Sequence, residues 1–303
     1  MVFRHFVMQP STTAVASPDS TAVVPLRRWL EIGALAVLIG LIYARTLAGL
    51  ADDWWNEPSF SQGMLLPPLA LYFAWLDRRA LLASAAQPSK QGLWLVGGGC
   101  FLFLAGKLSA EFFLQRFSFV LVVAGLIWVY GGKAWLKRLA FPLILLSTMI
   151  PLPAIVYNTA TAPLQLFASE TAARIAQWFG VSVYRDGNII ELAHMSLGVD
   201  EACSGLNSFS ALMVAALLLG QFLCTGLPAR ILLFLLSAPL SIAVNVLRVA
   251  GTAILADYNE VFALGFYHAF AGWLVFVVGF VAFVGIAKLA HAVLEGPGKE
   301  VEV

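Results

Sequence analysis

Three polar side chains stand at the ends of separate apolar runs: Cys203 in "VDEACSGLNSF", Arg248 in "PLSIAVNVLRV" and His268 in "HAFAG". A cysteine reacts as its thiolate, and a helix N-terminus or a nearby cation lowers the pKa of a thiol. Asp200 and Glu201 pull the other way. An imidazole can take the thiol proton and later deliver it to a leaving amine. A guanidinium is permanently charged and forked, so it can hold a carbonyl oxygen and the oxyanion that develops on it. Nucleophile, proton relay and oxyanion clamp together describe acyl transfer through a thioester.

Several neighbours could support that chemistry. Asn245 precedes Arg248 by three residues and shares its helical face, where it could orient the guanidinium. Gly272 follows His268 by four and, like Gly205, permits close backbone approach. Ser204, Asn207 and Asn245 are candidate substrate or supporting contacts. Each residue also has a plainer reading: a cysteine packs, a boundary arginine snorkels to headgroups, a histidine sits at an interface. Cys100 and Cys224 are read as packing residues, and His194 and His291 as solvated ones. Asp52, Asp53 and Glu57 read as a solvated face, and Gly97-Gly98-Gly99 as close helix packing. No metal-ligand spacing of Cys and His occurs, so no metal or other cofactor is expected.

The elements that must position these residues follow from composition. The 303-residue chain is 60% hydrophobic and 12% charged, with mean hydropathy +0.86. Soluble domains carry about twice that charge. Apolar runs near 20 residues, with little ten-residue alternation, indicate an all-α polytopic helix bundle rather than a β-barrel. Eight spans are read at roughly 29–50, 64–77, 93–107, 115–132, 139–153, 203–224, 231–254 and 269–289. A net charge of +1 without a basic, aromatic-interleaved patch gives no sign of nucleic-acid binding. Three cysteines without paired spacing argue against a disulfide framework.

With the N-terminus inside, 12 of the 18 Lys and Arg residues fall on the cytoplasmic side and 6 outside, as the positive-inside rule expects. Arg248 follows cytoplasmic Arg230 by 18 residues, about 27 Å of helix. His268 precedes cytoplasmic Lys288 by 20, about 30 Å, which is close to the hydrocarbon thickness. Both therefore reach the outer boundary, where Cys203 opens the sixth run.

The one long stretch between spans, 154–202, reads as a small outer cap. "NTATAPLQLFASETAARIAQWFG" suggests an amphipathic helix at the interface, and "VSVYRDGNIIEL" a β-hairpin turning at Asp186-Gly187. The strand-like "MSLGVDEA" leads into the sixth run. Residues 1–28, rich in Pro, Ser, Thr and Ala, read as a disordered cytoplasmic tail without a cleavable signal pattern. The catalytic domain is expected over 29–290, with a second cytoplasmic tail over 291–303.

The blocks "ACSGLNSF", "PLSIAVNVLRV" and "HAFAG", in this order, resemble the exosortase/archaeosortase family. The likeness covers about residues 50–290 and extends to "FPLILLSTMIPLP", "DGNIIEL" and "SFSQGMLLPPLALYFAWLDRR". It implies an integral membrane cysteine protease and transpeptidase whose Cys/Arg/His trio falls on Cys203, Arg248 and His268. Its implied partners are exported proteins ending in a sorting signal of the PEP-CTERM kind: a short motif such as Pro-Glu-Pro, one helix and a basic cluster. It further implies membrane lipid, an acceptor nucleophile of unspecified identity, and a site at the periplasmic face of a bacterial inner membrane. The sequence departs from the pattern at Gln62, where the family often has a histidine between serine and glycine. Three other readings stay open: a transporter or channel, a lipid-linked acyl- or glycosyltransferase, and a structural scaffold of an export system.

Overall fold

The computed structural model describes residues 26–84, 86–199 and 206–296. The expected tails at 1–28 and 291–303 therefore lie largely outside the described residues. Among the described residues ten α-helices follow in order: α1 (Leu26–Asn56), α2 (Leu66–Leu76), α3 (Arg78–Ala83), α4 (Gly92–Leu108), α5 (Phe112–Arg138), α6 (Ala140–Ser147), α7 (Ala154–Trp178), α8 (Leu206–Leu223), α9 (Leu227–Tyr258) and α10 (Gly265–Glu295). Strands β1 (Tyr184–Asp186), β2 (Ile189–Glu191) and β3 (Ser196–Gly198) lie between α7 and α8. The chain divides into two compact units. In the first, 1–44, the described part is the beginning of α1; Arg45–Val303 forms the second.

Among the described residues, four helices are long and apolar enough to cross a membrane: Gly33–Asn56 of α1, α5, α9 and α10. Helix α4 and residues Ser208–Leu223 of α8 are apolar but shorter. The runs read at 64–77 and 139–153 yield α2 with 11 residues and α6 with 8. At 1.5 Å per residue these reach only about 17 and 12 Å, too short to span alone. Pro151 and Pro153 prevent α6 from continuing. Met149 and Ile150 instead turn into a cluster with Leu50, Leu66, Phe73 and Leu145.

Helices α4 and α5 form a hairpin packed through glycine. Gly92, Gly99 and Gly106, spaced by seven, face α5. An added Cβ would come within 2.6 Å of Val129 N, 2.7 Å of Val122 Cγ2 and 2.9 Å of Gln115 N, respectively. Gly125 returns the contact: a Cβ added there would stand 2.7 Å from Val96 N. Of the Gly97-Gly98-Gly99 triplet only Gly99 takes part; Gly97 and Gly98 face open space.

The cap is a three-stranded antiparallel sheet, β1-β2-β3, beside α7. The first pairing is Asp186↔Ile189, so the two-residue turn is Gly187-Asn188, one position later than the Asp186-Gly187 expected. Gly187 has φ +61° and Asn188 has no positive φ, the II′ arrangement with glycine at its first central position. Tertiary bonds hold it there: Ser169 Oγ donates to Gly187 O at 3.0 Å, and Val199 N to Asn188 O at 2.9 Å.

Helix α7 is the expected cap helix, but its buried stripe is made of small residues. Ala168, Ala172 and Ala176 meet Val249, Ala250, Ala253 and Ala256 of α9, with Ile190, Leu192 and Val199 closing the cluster. Phe167 and Trp178 remain exposed on its other side, as suits a helix at an interface. A third cluster joins α8, α9 and α10 through Leu212, Leu233 and Phe283.

The glycine seam generates a stability test. Gly125→Ala drives a methyl into the α4 backbone and should cost about 1–3 kcal/mol. Gly97→Ala, facing open space, should be neutral or gain about 0.5–1 kcal/mol. Thermal unfolding of both variants in detergent checks the contrast.

Candidate active site

The site rests on the antiparallel packing of α9 and α10. Asn245 and Arg248 lie on α9, His268 one turn into α10, and Gly272 one turn further. Arg248 Nη2 and His268 Nε2 are 3.4 Å apart. A Cβ built on Gly272 would stand 3.1 Å from Arg248 Nε and 3.5 Å from its Cζ, so the absence of a side chain there makes the bed on which the guanidinium lies. Two turns further, Gly279 receives Val244; a Cβ there would overlap Val244 Cγ2. The seven-residue spacing of Gly272 and Gly279 thus keeps α9 and α10 close along the whole seam.

Further contacts orient Arg248 and its helix. Thr252 Oγ1 donates to Arg248 O at 2.9 Å, one turn along α9. Asn245 is 1% exposed, so its amide is committed to the interior, on the same face as Arg248. Because a guanidinium offers only N–H donors, Nε2 of His268 acts as acceptor in this pair, which places the proton of a neutral ring on Nδ1. Nδ1 is buried and has no hydrogen-bond partner among the described residues.

Cys203, Ser204 and Gly205 lie outside the described residues. So does the side chain of Asn207, the second residue of α8. The chain is described again on both sides. Val199 is 2% exposed in the cluster that holds Val246 and Val249, which lie two residues before and one after Arg248. Its backbone is tied twice to Asn188, through Val199 N to Asn188 O and through Asn188 Nδ2 to Val199 O at 3.1 Å. No feature of the local sequence pointed to Asn188 as the residue that anchors this segment.

The other polar candidates separate from this pair. Gln62 lines a cavity of about 280 Å³ with Phe117, Met149, Tyr157, Phe209 and Met213, and neither Arg248 nor His268 lines it. Gly63 beside it seats the Trp54 indole, whose Nε1 donates to Met149 O at 3.1 Å. Asp53 is not simply solvated: it pairs at 2.7 Å with Arg116, which is 7% exposed. His291 is likewise bonded, 2.7 Å from Glu295, whereas His194 is exposed as expected. Cys100 faces outward on α4, and Cys224 is fully buried beyond the end of α8. Its complete burial suits an inert packing residue. Among the described residues no group of three or more His, Cys, Asp or Glu could hold a metal ion.

Comparison with known proteins places the chain in a family. The family model described as "Transmembrane exosortase (Exosortase_EpsH)" matches residues 54–285, a stretch containing Cys203, Arg248, His268 and Gly272. No curated protein and no solved structure matches the chain. With more than half of its length matched, and with apolar helices long enough to cross a membrane, the chain belongs to the transmembrane exosortase family.

Proposed function

We propose that the chain is a cysteine peptidase and transpeptidase that cleaves the C-terminal sorting signal of exported proteins at the periplasmic face of a bacterial inner membrane. The observation that carries this reading is the Arg248–His268 contact, two functional side chains from different helices at 3.4 Å. Cys203 is four residues from buried Val199, a separation that an extended chain covers in about 14 Å at most. Val199 shares its cluster with Val246 and Val249 of the helix that carries Arg248, which supports a thiol working beside the pair.

The chemistry then runs as follows. The carbonyl oxygen of the scissile peptide takes over the guanidinium of Arg248, which releases Nε2 of His268. Nε2 accepts the thiol proton, and the sulfur attacks the carbonyl carbon. The C=O π electrons move onto oxygen, where Arg248 holds the oxyanion. Collapse breaks the C–N bond, and His268 gives its proton to the departing amine. The tail leaves, and the exported domain stays as a thioester on Cys203. An acceptor amine, or water, attacks the thioester and loses its proton to His268. The thiolate departs, is reprotonated, and the product is released. In this reading Asn245 supports the guanidinium, Ser204, Gly205 and Asn207 serve as substrate or supporting contacts beside the nucleophile, and the substrate's single helix lies against the bundle.

Co-expression with an exported reporter bearing such a tail tests the assignment. Cys203→Ala should abolish processing, and Arg248→Lys, which keeps the charge but loses the fork, should slow it by about 10²–10³. Processing by Cys203→Ala at the parental rate would contradict the mechanism. The glycine bed gives a subtler test on the same assay. Gly272→Ala should shift the guanidinium by a few tenths of an ångström and slow processing about tenfold. Gly285→Ala, on the same helix but facing open space, should leave the rate unchanged.

A further inference from the structure

At the end of the bundle opposite Arg248, the last turn of α5, the start of α6, the end of α8 and the first turns of α9 enclose a second cavity of about 450 Å³. Three cations line it: Lys137 and Arg138 from α5 and Arg230 from α9. No Asp or Glu lines it, and none forms an ion pair with these three among the described residues. The Arg230 guanidinium spends its donors on neutral acceptors, Cys224 O at 2.9 and 3.1 Å and Gln221 Oε1 at 3.0 Å, so its charge is uncompensated. Glu295, which reaches the turn between α8 and α9 from the end of α10, is committed elsewhere: it accepts from Thr225 N, Thr225 Oγ1 and Gly226 N at 2.6–3.0 Å and meets His291.

The rest of the wall is apolar and open to the side. Ile144, Ile231, Phe234 and Leu227 are 39–68% exposed, on helices whose composition suits hydrocarbon. A free anion would satisfy the cations and leave this wall unused. A lipid with an anionic headgroup satisfies both, its phosphate among the three cations and its chains along α6 and α9.

We propose that this cavity is a binding site for an anionic phospholipid of the cytoplasmic leaflet. The lipid joins α5 to α9, so it braces the helix that carries Arg248 from the opposite end. The site is independent of the catalytic assignment.

The test uses the full chain in mild detergent, titrated with phosphatidylglycerol or phosphatidylcholine and read by native mass spectrometry. Phosphatidylglycerol should bind preferentially. Lys137→Gln with Arg138→Gln, both exposed, should weaken it on the order of 20-fold, about fivefold for each cation. Arg79→Gln with Lys90→Gln removes equal charge from exposed positions outside the cavity and should leave binding within twofold. Ile231→Asp should also weaken binding. Equal affinity for the two lipids, an equal loss in both double variants, or displacement of the lipid by millimolar inorganic phosphate would overturn the proposal.

Discussion

Helices α9 and α10 approach closely because Gly272 and Gly279 present no Cβ to their partner, and the rest of the site depends on that approach. Small residues drive helix association in a membrane, where lipid tails remove the hydrophobic incentive and close packing must supply the energy. Here the same device has a second consequence. The space opened by Gly272 is filled by the guanidinium of Arg248, which would otherwise be pushed off His268. One seam therefore sets both the stability of the helix pair and the 3.4 Å separation of Arg248 and His268.

Helix length supplies the second constraint. Helix α9 has 32 residues, about 48 Å at 1.5 Å per residue, against a hydrocarbon core of about 30 Å. The excess beyond Arg248 is the alanine-rich surface on which α7 and the small sheet assemble. The cap is thus built on the same helix that carries the arginine, and its last buried residue, Val199, leads directly into the cysteine segment. Asn188, fixed in the hairpin turn, grips Val199 through both backbone groups. Each end of the segment is accordingly held by an element whose position relative to Arg248 is set by packing.

Much of this was legible in the sequence, and the parts that were not have physical reasons. Counting helix rise from Arg230 and Lys288 placed Arg248 and His268 at one depth, because depth in a straight helix is linear in residue number. Which face they occupied was also readable, since Asn245, Arg248, His268 and Gly272 follow the helical period. The short helices α2 and α6 were not separable from spans, because a buried apolar run and a lipid-facing one have the same composition. The hairpin turn moved by one residue because Asp-Gly and Gly-Asn are both good two-residue turns. The choice was made by Ser169 and Val199, which are distant in sequence from the turn or beyond its strands. The Asp53–Arg116 pair was missed for the same reason: an acidic cluster at a helix end reads as solvated until a buried arginine from another helix is seen beside it.

If the sulfur of Cys203 works beside the Arg248–His268 pair, a covalent intermediate forms on it and can be captured. Membranes containing the protein and a tailed substrate are quenched in acid during turnover, and the intact enzyme is weighed by mass spectrometry. The expected result is an adduct with the mass of the exported domain, located at Cys203, released by neutral hydroxylamine and absent from Cys203→Ala. Accumulation of cleaved product while Cys203 stays fully open to alkylation, with no thiol-linked species at any time, would contradict it.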